Sequence, residues 1–275
     1  MTNFICATCG TQYGEAEEPP SQCEICADVR QYVPSSGQVW TTLDELRARH
    51  RNAWQSCEPD LLGIGTVPEF GIGQRALLLR TPAANFLWDC IALLDEATIE
   101  LIRSSGGLQG IAISHPHYYT TAVEWSRAFS DAPIYLHAAD RKWAMRPDRA
   151  IQFWEGEELD LGPGITLLRC GGHFPGGTIL HWQAGAEGRG AILSGDILQV
   201  TPDGMVSFMF SYPNLIPLPA RAVETIGQKI SPLTFDRIYG AFWDRVVPAH
   251  GAEIARYSIA RYLAAIDSLG QASRT

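Results

Sequence analysis

The sequence lacks any apolar run approaching the ~20 residues of a membrane-spanning helix, so no membrane association is expected. Its first ten residues, MTNFICATCG, carry neither a basic n-region nor an apolar h-region. No secretory signal peptide is therefore expected, and the expected address is the cytoplasm. Positive charge is scarce: 21 Lys and Arg stand against 30 Asp and Glu, for a net charge of −9. A non-specific nucleic-acid binder needs the opposite balance, so nucleic acid is not an expected partner. Internal repeats and low-complexity tracts are missing as well. With 46% hydrophobic and 19% charged residues, disorder as the main state is excluded. A chain of 275 residues has room for one large domain, or one domain plus a small module, and folds without needing disulfides.

Cysteine is present in a pattern. Of the seven, Cys6, Cys9, Cys23 and Cys26 form two CxxC pairs, while Cys57, Cys90 and Cys170 stand alone and read as buried or inert thiols. An odd count, clustered pairs and no signal peptide point to metal ligation in a reducing compartment. Residues 1–40 are also short of large aliphatics and rich in acidic residues, so they cannot build a core alone and call for a metal staple. Each CxxC turn presents two thiolates, and the 13 residues between the pairs close a tetrahedral four-cysteine site. Gly10 permits the first tight turn. Pro34-Ser35-Ser36-Gly37 reads as a linker, giving a module over 1–40 and a main domain over 41–275.

In the main domain, Thr42–Trp54 reads as a helix with Thr41 or Thr42 as N-cap and Glu45 completing a capping box. Strands are expected at Ala76–Arg80, Asn85–Leu94, Gly110–Ser114, Pro133–His137 and in several short runs over 150–200. Helices are expected at Asp95–Ser105, Thr120–Phe129, Leu218–Ile230 and Ala252–Leu269. Strands dominate with helices interspersed, which suggests an α/β sandwich of two sheets.

Four histidines fall at the ends of these apolar runs. His115 and His117 form HPH after Gly110–Ser114, where an extended backbone would point both rings the same way. His173 lies in CGGHFPGG between two strands, Asp196 in LSGDIL where a strand ends, and His250 in VVPAHG. His50, His137 and His181 match no such context and read as non-ligands.

The ordered set HxH, loop histidine, SGD and HG resembles the metallo-β-lactamase superfamily over roughly residues 60–270. The cysteine segment resembles the zinc-ribbon and rubredoxin knuckles, although CEICA lacks the proline and glycine usual in rubredoxins. That departure favours structural zinc over iron at Cys6, Cys9, Cys23 and Cys26. The first resemblance implies an αββα sandwich with a metal site at one edge. It also implies a first motif HxHxDH, where this chain reads HPHYYT: Tyr119 stands for the aspartate and Thr120 for the last histidine. By position, His115, His117, His173 and Asp196 supply one complete site. The second keeps only Asp196 and His250, too few for a tight zinc site. One ion is therefore expected, zinc by ligand type, with iron or manganese as alternatives.

The implied activity is hydrolysis of a small ester, thioester, lactone or amide by a metal-bound water, with a small molecule as partner. Asp196 would accept the water's proton and His250 would act as acid or base. Tyr119 would donate a proton or merely fill the vacated volume. The alternative is a non-catalytic or redox member whose knuckle carries iron or docks a partner. Nuclease activity is disfavoured by the charge and the altered motif. Phe208–Tyr212 and Tyr239–Trp243 are aromatic segments that would either line a pocket or pack the core. The sequence does not reveal oligomeric state.

Overall fold

A computed structural model describes residues 1–272. The backbone divides into two compact units, Met1–Glu155 and a second from Gly156 onward.

The first unit opens with β1 (Thr2–Cys6) and β2 (Gln12–Ala16), followed by a single helical turn, α1 (Glu24–Ala27), and by β3 (Trp40–Thr41). These strands form their own small sheet in the order β2-β1-β3. Only the first half of the helix expected over Thr42–Trp54 forms: α2 spans Leu43–Arg49. Its capping box is the one read from the sequence, with Glu45 N donating to Thr42 Oγ1 (3.3 Å) and Thr42 N to Glu45 Oε2 (3.1 Å). From Arg51 the chain is instead β4 (Arg51–Glu58), paired antiparallel along its length with β5 (Leu61–Val67). Tertiary bonds override helix propensity there: Asn52 N donates to Asp95, and the Asn52 amide to Leu93 O and Thr98.

β6 (Ala76–Arg80) and β7 (Asn85–Trp88) continue the antiparallel run. β7 stops short of the expected Leu94 because Asp89 takes a left-handed φ of 61°. α3 (Glu96–Ser104) starts at the Asp95 cap and ends at Gly106-Gly107, both at positive φ. β8 (Gly110–Ala112), α4 (Ala122–Ala128), β9 (Ile134–His137) and β10 (Ile151–Trp154) complete the unit. The large sheet runs β10-β9-β8-β7-β6-β5-β4, parallel from β7 to β10. Because β7 and β8 are parallel, the segments that follow them, Asp89 and Ser114-His115, leave the sheet at one edge.

The second unit holds β11 (Glu158–Gly162), β12 (Ile165–Arg169), β13 (Thr178–Trp182), the turn α5 (Gly185–Gly188) and β14 (Ala191–Gly195). Two small hairpins follow: β15 (Gln199–Val200) with β16 (Val206–Ser207), and β17 (Met209–Ser211) with β18 (Ile216–Pro217). Then come α6 (Ala220–Ile230), β19 (Arg237–Gly240), β20 (Val246–Val247) and α7 (Gly251–Ala272). The sheet order is β11-β12-β13-β14-β19-β20. Val223, Ile226 and Ile230 of α6 recur at helical spacing and bury with Ala255 of α7 against Ile179, Ile192 and Ile238.

Strand direction sorts the candidate residues of this unit. β12 to β14 are successively antiparallel, so the His173 loop and the end of β14 at Asp196 share one edge. β19 runs parallel to β14, but β20 runs back antiparallel. The chain leaving β20 therefore carries His250 to the opposite edge.

Candidate metal centres

The four paired cysteines come together. Gly10 N donates to Cys6 O (2.8 Å) and Cys6 N to Thr11 O (2.9 Å), closing the first knuckle around Gly10 at φ +81°. The second pair is spanned by α1, whose Ala27 N donates to Cys23 O (2.9 Å). No residue from Cys23 to Asp28 needs a positive φ, which is how CEICA closes without a glycine. Sulfur separations are 3.6 Å for Cys6–Cys26 and 3.7 Å for Cys9–Cys23, and all four lie within 4.8 Å of one another, buried. A tetrahedral ion with Zn–S bonds of ~2.3 Å sets sulfurs about 3.8 Å apart, so the cage fits such an ion. Gln38 Nε2 donates to Cys6 Sγ (3.1 Å) and Tyr13 Oη to Cys23 Sγ (3.5 Å). Both bonds favour thiolate, and neither partner was singled out from the sequence. Hydrogen bonds from Cys23 and Cys26 hold the Cys6 thiol low, whereas burial pushes Cys9 up.

His115 and His117 lie close together, with ring centroids 5.2 Å apart and a ring nitrogen of each within 4.8 Å of the other. The backbone that does this differs from the expected extended HPH. His115 is extended, as the residue before a proline should be, but Pro116–Tyr118 is a 3-10 turn. Proline suits the first position of such a turn because its missing N–H would have no partner there. Ser114 Oγ lies 2.8 Å from His115 Nδ1, which fixes that ring and leaves its buried Nε2 as the candidate ligand atom. Behind it, the buried Asp89 carboxylate accepts from Ser114 N (2.7 Å), and Asp89 N donates to Ala112 O (2.8 Å). Asp89 therefore sets where β8 hands over to the histidine turn. Its signal in the sequence was an aspartate inside a strongly apolar run.

In the second unit, a ring nitrogen of His173 and a carboxylate oxygen of Asp196 lie within 4.8 Å. His173 Nδ1 faces two carbonyls, Phe210 O at 2.9 Å and Met209 O at 3.3 Å. A carbonyl only accepts, so Nδ1 carries a proton, and the neutral form of the ring has its lone pair on Nε2. Tyr212 Oη donates to Asp196 O (2.7 Å), and its ring sits 5.4 Å from His173. Burial, then the nearby Asp196 carboxylate, keeps the Tyr212 phenol protonated. The Phe208–Tyr212 segment thus holds both candidate ligands of this unit.

The remaining candidates sit elsewhere. Tyr119 is buried, lining a small void with Ile113, Leu136, Val123 and Arg146. Burial, then the Asp140 charge, holds its phenol protonated. His250 is exposed, 3.5 Å from Glu253, and its backbone N donates to Asp236 Oδ1 (2.8 Å). Among the described residues it joins no group able to hold an ion. His50 and His181 engage Pro68 O (2.8 Å) and Thr234 O (2.9 Å), and His137 caps the next turn through Ala139 N (3.1 Å). Among the described residues no helix is long and apolar enough to cross a membrane.

The sheets, the helices and the order of the edge residues define a known class: the chain has the metallo-β-lactamase fold. It superposes on VMB-1 with a TM-score of 0.58 at 11% identity, over 78% of this chain and 98% of that one. On the metallo-β-lactamase DIM-1 the TM-score is 0.54 at 13% identity, over 76% and 98%. On a HARLDQ-motif mutant of a metallo-β-lactamase from Cronobacter sakazakii it is 0.50 at 20%, over 80% and 98%. No family model matches the sequence. The chain belongs to the family of the uncharacterized protein YmaE of Bacillus subtilis (strain 168), being 49% identical to it over 271 residues, 98% of each chain.

Proposed function

We propose that the protein is a metal-dependent hydrolase of a small ester, thioester, lactone or amide, working in a reducing compartment. One catalytic ion is held by His115, His117, His173 and Asp196, in the main domain over 41–275. A structural zinc ion sits in the four-cysteine module over 1–40. The observation that carries the reading is the tautomer at His173: two carbonyls take the Nδ1 proton, leaving Nε2 as a donor beside the Asp196 carboxylate. Three imidazoles and one carboxylate suit a divalent borderline ion, zinc first. Such an ion, when bound, acidifies water and polarises a substrate carbonyl.

The chain's own groups supply the rest. Asp196 offers a carboxylate oxygen to the attacking water's proton, and Tyr212 fixes the Asp196 backbone so that this oxygen is positioned. Ser114 and the Phe210 carbonyl keep two of the rings from rotating. A single ion is favoured because Thr120 offers no ring nitrogen where the related motif has its last histidine, and because His250 sits at the far sheet edge. A fold neighbour from Cronobacter sakazakii described by its HARLDQ motif supports the reading that the first motif can depart from HxHxDH.

The test is a panel of chromogenic esters, thioesters, lactones and amides with metal-replete protein. Asp196→Asn should keep the fold and lose ~10²–10⁴-fold in kcat on any substrate cleaved. Full activity of that variant would refute the mechanism. A metal-loaded wild type inert on the whole panel would favour a non-catalytic protein.

A further inference from the structure

The cysteine module is joined directly to the turn that carries His115 and His117. Gln12 N, one residue past the first knuckle, donates to Thr120 O (3.0 Å). Thr120 closes the HPHYYT turn and is held at a φ of +27°, a conformation that a β-branched residue adopts only under restraint. Gly10 lies against the same residue: a Cβ there would stand 3.5 Å from Thr120 Cγ2 and 3.2 Å from Ala92 Cβ. The Gln12 side chain extends the joint, accepting from Arg146 and reaching Glu124 Oε1 at 3.4 Å. Arg146 in turn pairs with Glu124 (2.6 Å), on the helix α4 that begins just after the turn. Gln12 is almost fully buried in this joint. On its other side Ile5 of β1 packs with Leu46, Ala92 and Leu93, and Thr121 Oγ1 donates to Ala92 O (2.9 Å).

We infer that Gln12 is a positioning residue for the histidine pair, and that an ion in the four-cysteine cage strengthens ion binding at His115 and His117. The inference rests on the proposal that the pair holds an ion. The cage fixes the first knuckle, the knuckle fixes the Gln12 backbone, and Gln12 holds the restrained Thr120 that ends the histidine turn. The position where the related motif has its last histidine here serves as a backbone anchor for the module. Thermodynamic linkage makes the effect mutual: filling the histidine site tightens the cage by the same factor.

The probe is cobalt(II), added to the apo full-length protein. A four-thiolate cobalt site gives intense sulfur-to-cobalt charge transfer, while a nitrogen and oxygen site gives only weak ligand-field bands, so the two titrate separately. Gln12→Ala leaves all eight proposed ligands in place. It should keep the charge-transfer signal and weaken the ligand-field site about 10-fold, in the range for partners that orient ligands. Cys23→Ser with Cys26→Ser should abolish charge transfer and weaken the ligand-field site by ~10–100-fold. Unchanged ligand-field affinity in Gln12→Ala would overturn the positioning role of the Gln12 side chain, since that variant keeps the Gln12 N–Thr120 O bond. The same result in the double cysteine variant, folded by circular dichroism, would overturn the coupling. Wild type showing only the charge-transfer site would overturn the proposed histidine site itself.

Discussion

Two ligand sets in one chain are built on opposite plans. The four cysteines come from 21 consecutive positions, Cys6 to Cys26, in turns that close within their own small sheet. All four cysteines are buried, and Gln38 and Tyr13 donate to two of the sulfurs. The candidates of the larger domain are dispersed instead: His115 and His117 follow β8 in the first compact unit, His173 and Asp196 lie in the second, and the Nδ1 atoms of His115 and His173 are engaged by a serine and by main-chain carbonyls. On the proposed reading, a closed cage of four thiolates would hold an ion as structure, whereas imidazoles engaged at Nδ1, with one carboxylate, would hold one while leaving coordination open. The difference is thus legible in what stands behind the ligands as well as in the ligands.

The largest expected effect breaks the first set. Cys9→Ser should release about one metal equivalent per chain and expose residues 1–40 to limited proteolysis. Zinc binding in comparable four-ligand peptides amounts to about 10–16 kcal/mol of folding free energy, which this short segment cannot replace. Metal retained in full, measured by elemental analysis, would erase the distinction drawn above.

Next comes Asp89, which stands behind the second set. Asp89→Ala leaves the buried Ser114 N–H without its acceptor and places a methyl side chain at φ 61°, for a loss of about 1–3 kcal/mol in urea denaturation. Asp89→Asn keeps an acceptor oxygen and tolerates that backbone, so it should recover most of the loss. Tyr212→Phe removes the bond to Asp196 O. It should cost about 0.5–1.5 kcal/mol and make metal easier to strip with a chelator. Neither residue touches the cysteine cage, so it should keep its ion through both changes and lose affinity only through the linkage to the histidine site.

The smallest effect is a control far from either set. Bonds from Thr201 and Arg261 hold the Asp203 carboxyl down at about 2. The ionised form is the one the fold favours, so its contribution is present above the ordinary carboxylate range and is lost as pH falls through about 2. Asp203→Asn should remove that part of the acid dependence of the melting temperature and leave metal content unchanged.

The parts legible in the sequence are those set by local chemistry. Paired CxxC spacing gave the cage, Thr42 and Glu45 gave the capping box, and apolar runs ended by His115, His173 and Asp196 gave the sheet edges. The rest depends on pairing that no local pattern records. Residues 51–54 read as helix because only their partnership with Ile64–Val67 and Asp95 makes them strand. His250 ends an apolar run like the others, but the reversal from β19 to β20 sends it to the other edge. Gln38, Tyr13, Asp89 and Tyr212 act by hydrogen bonds over 10 or more positions of sequence.

The most direct measurement is metal stoichiometry of purified wild type beside His115→Ala and Cys9→Ser. One ion per set predicts two equivalents per chain in wild type and one in each variant, with the fold of the main domain kept in His115→Ala. Three tightly held equivalents in wild type, or no loss in His115→Ala, would contradict the account.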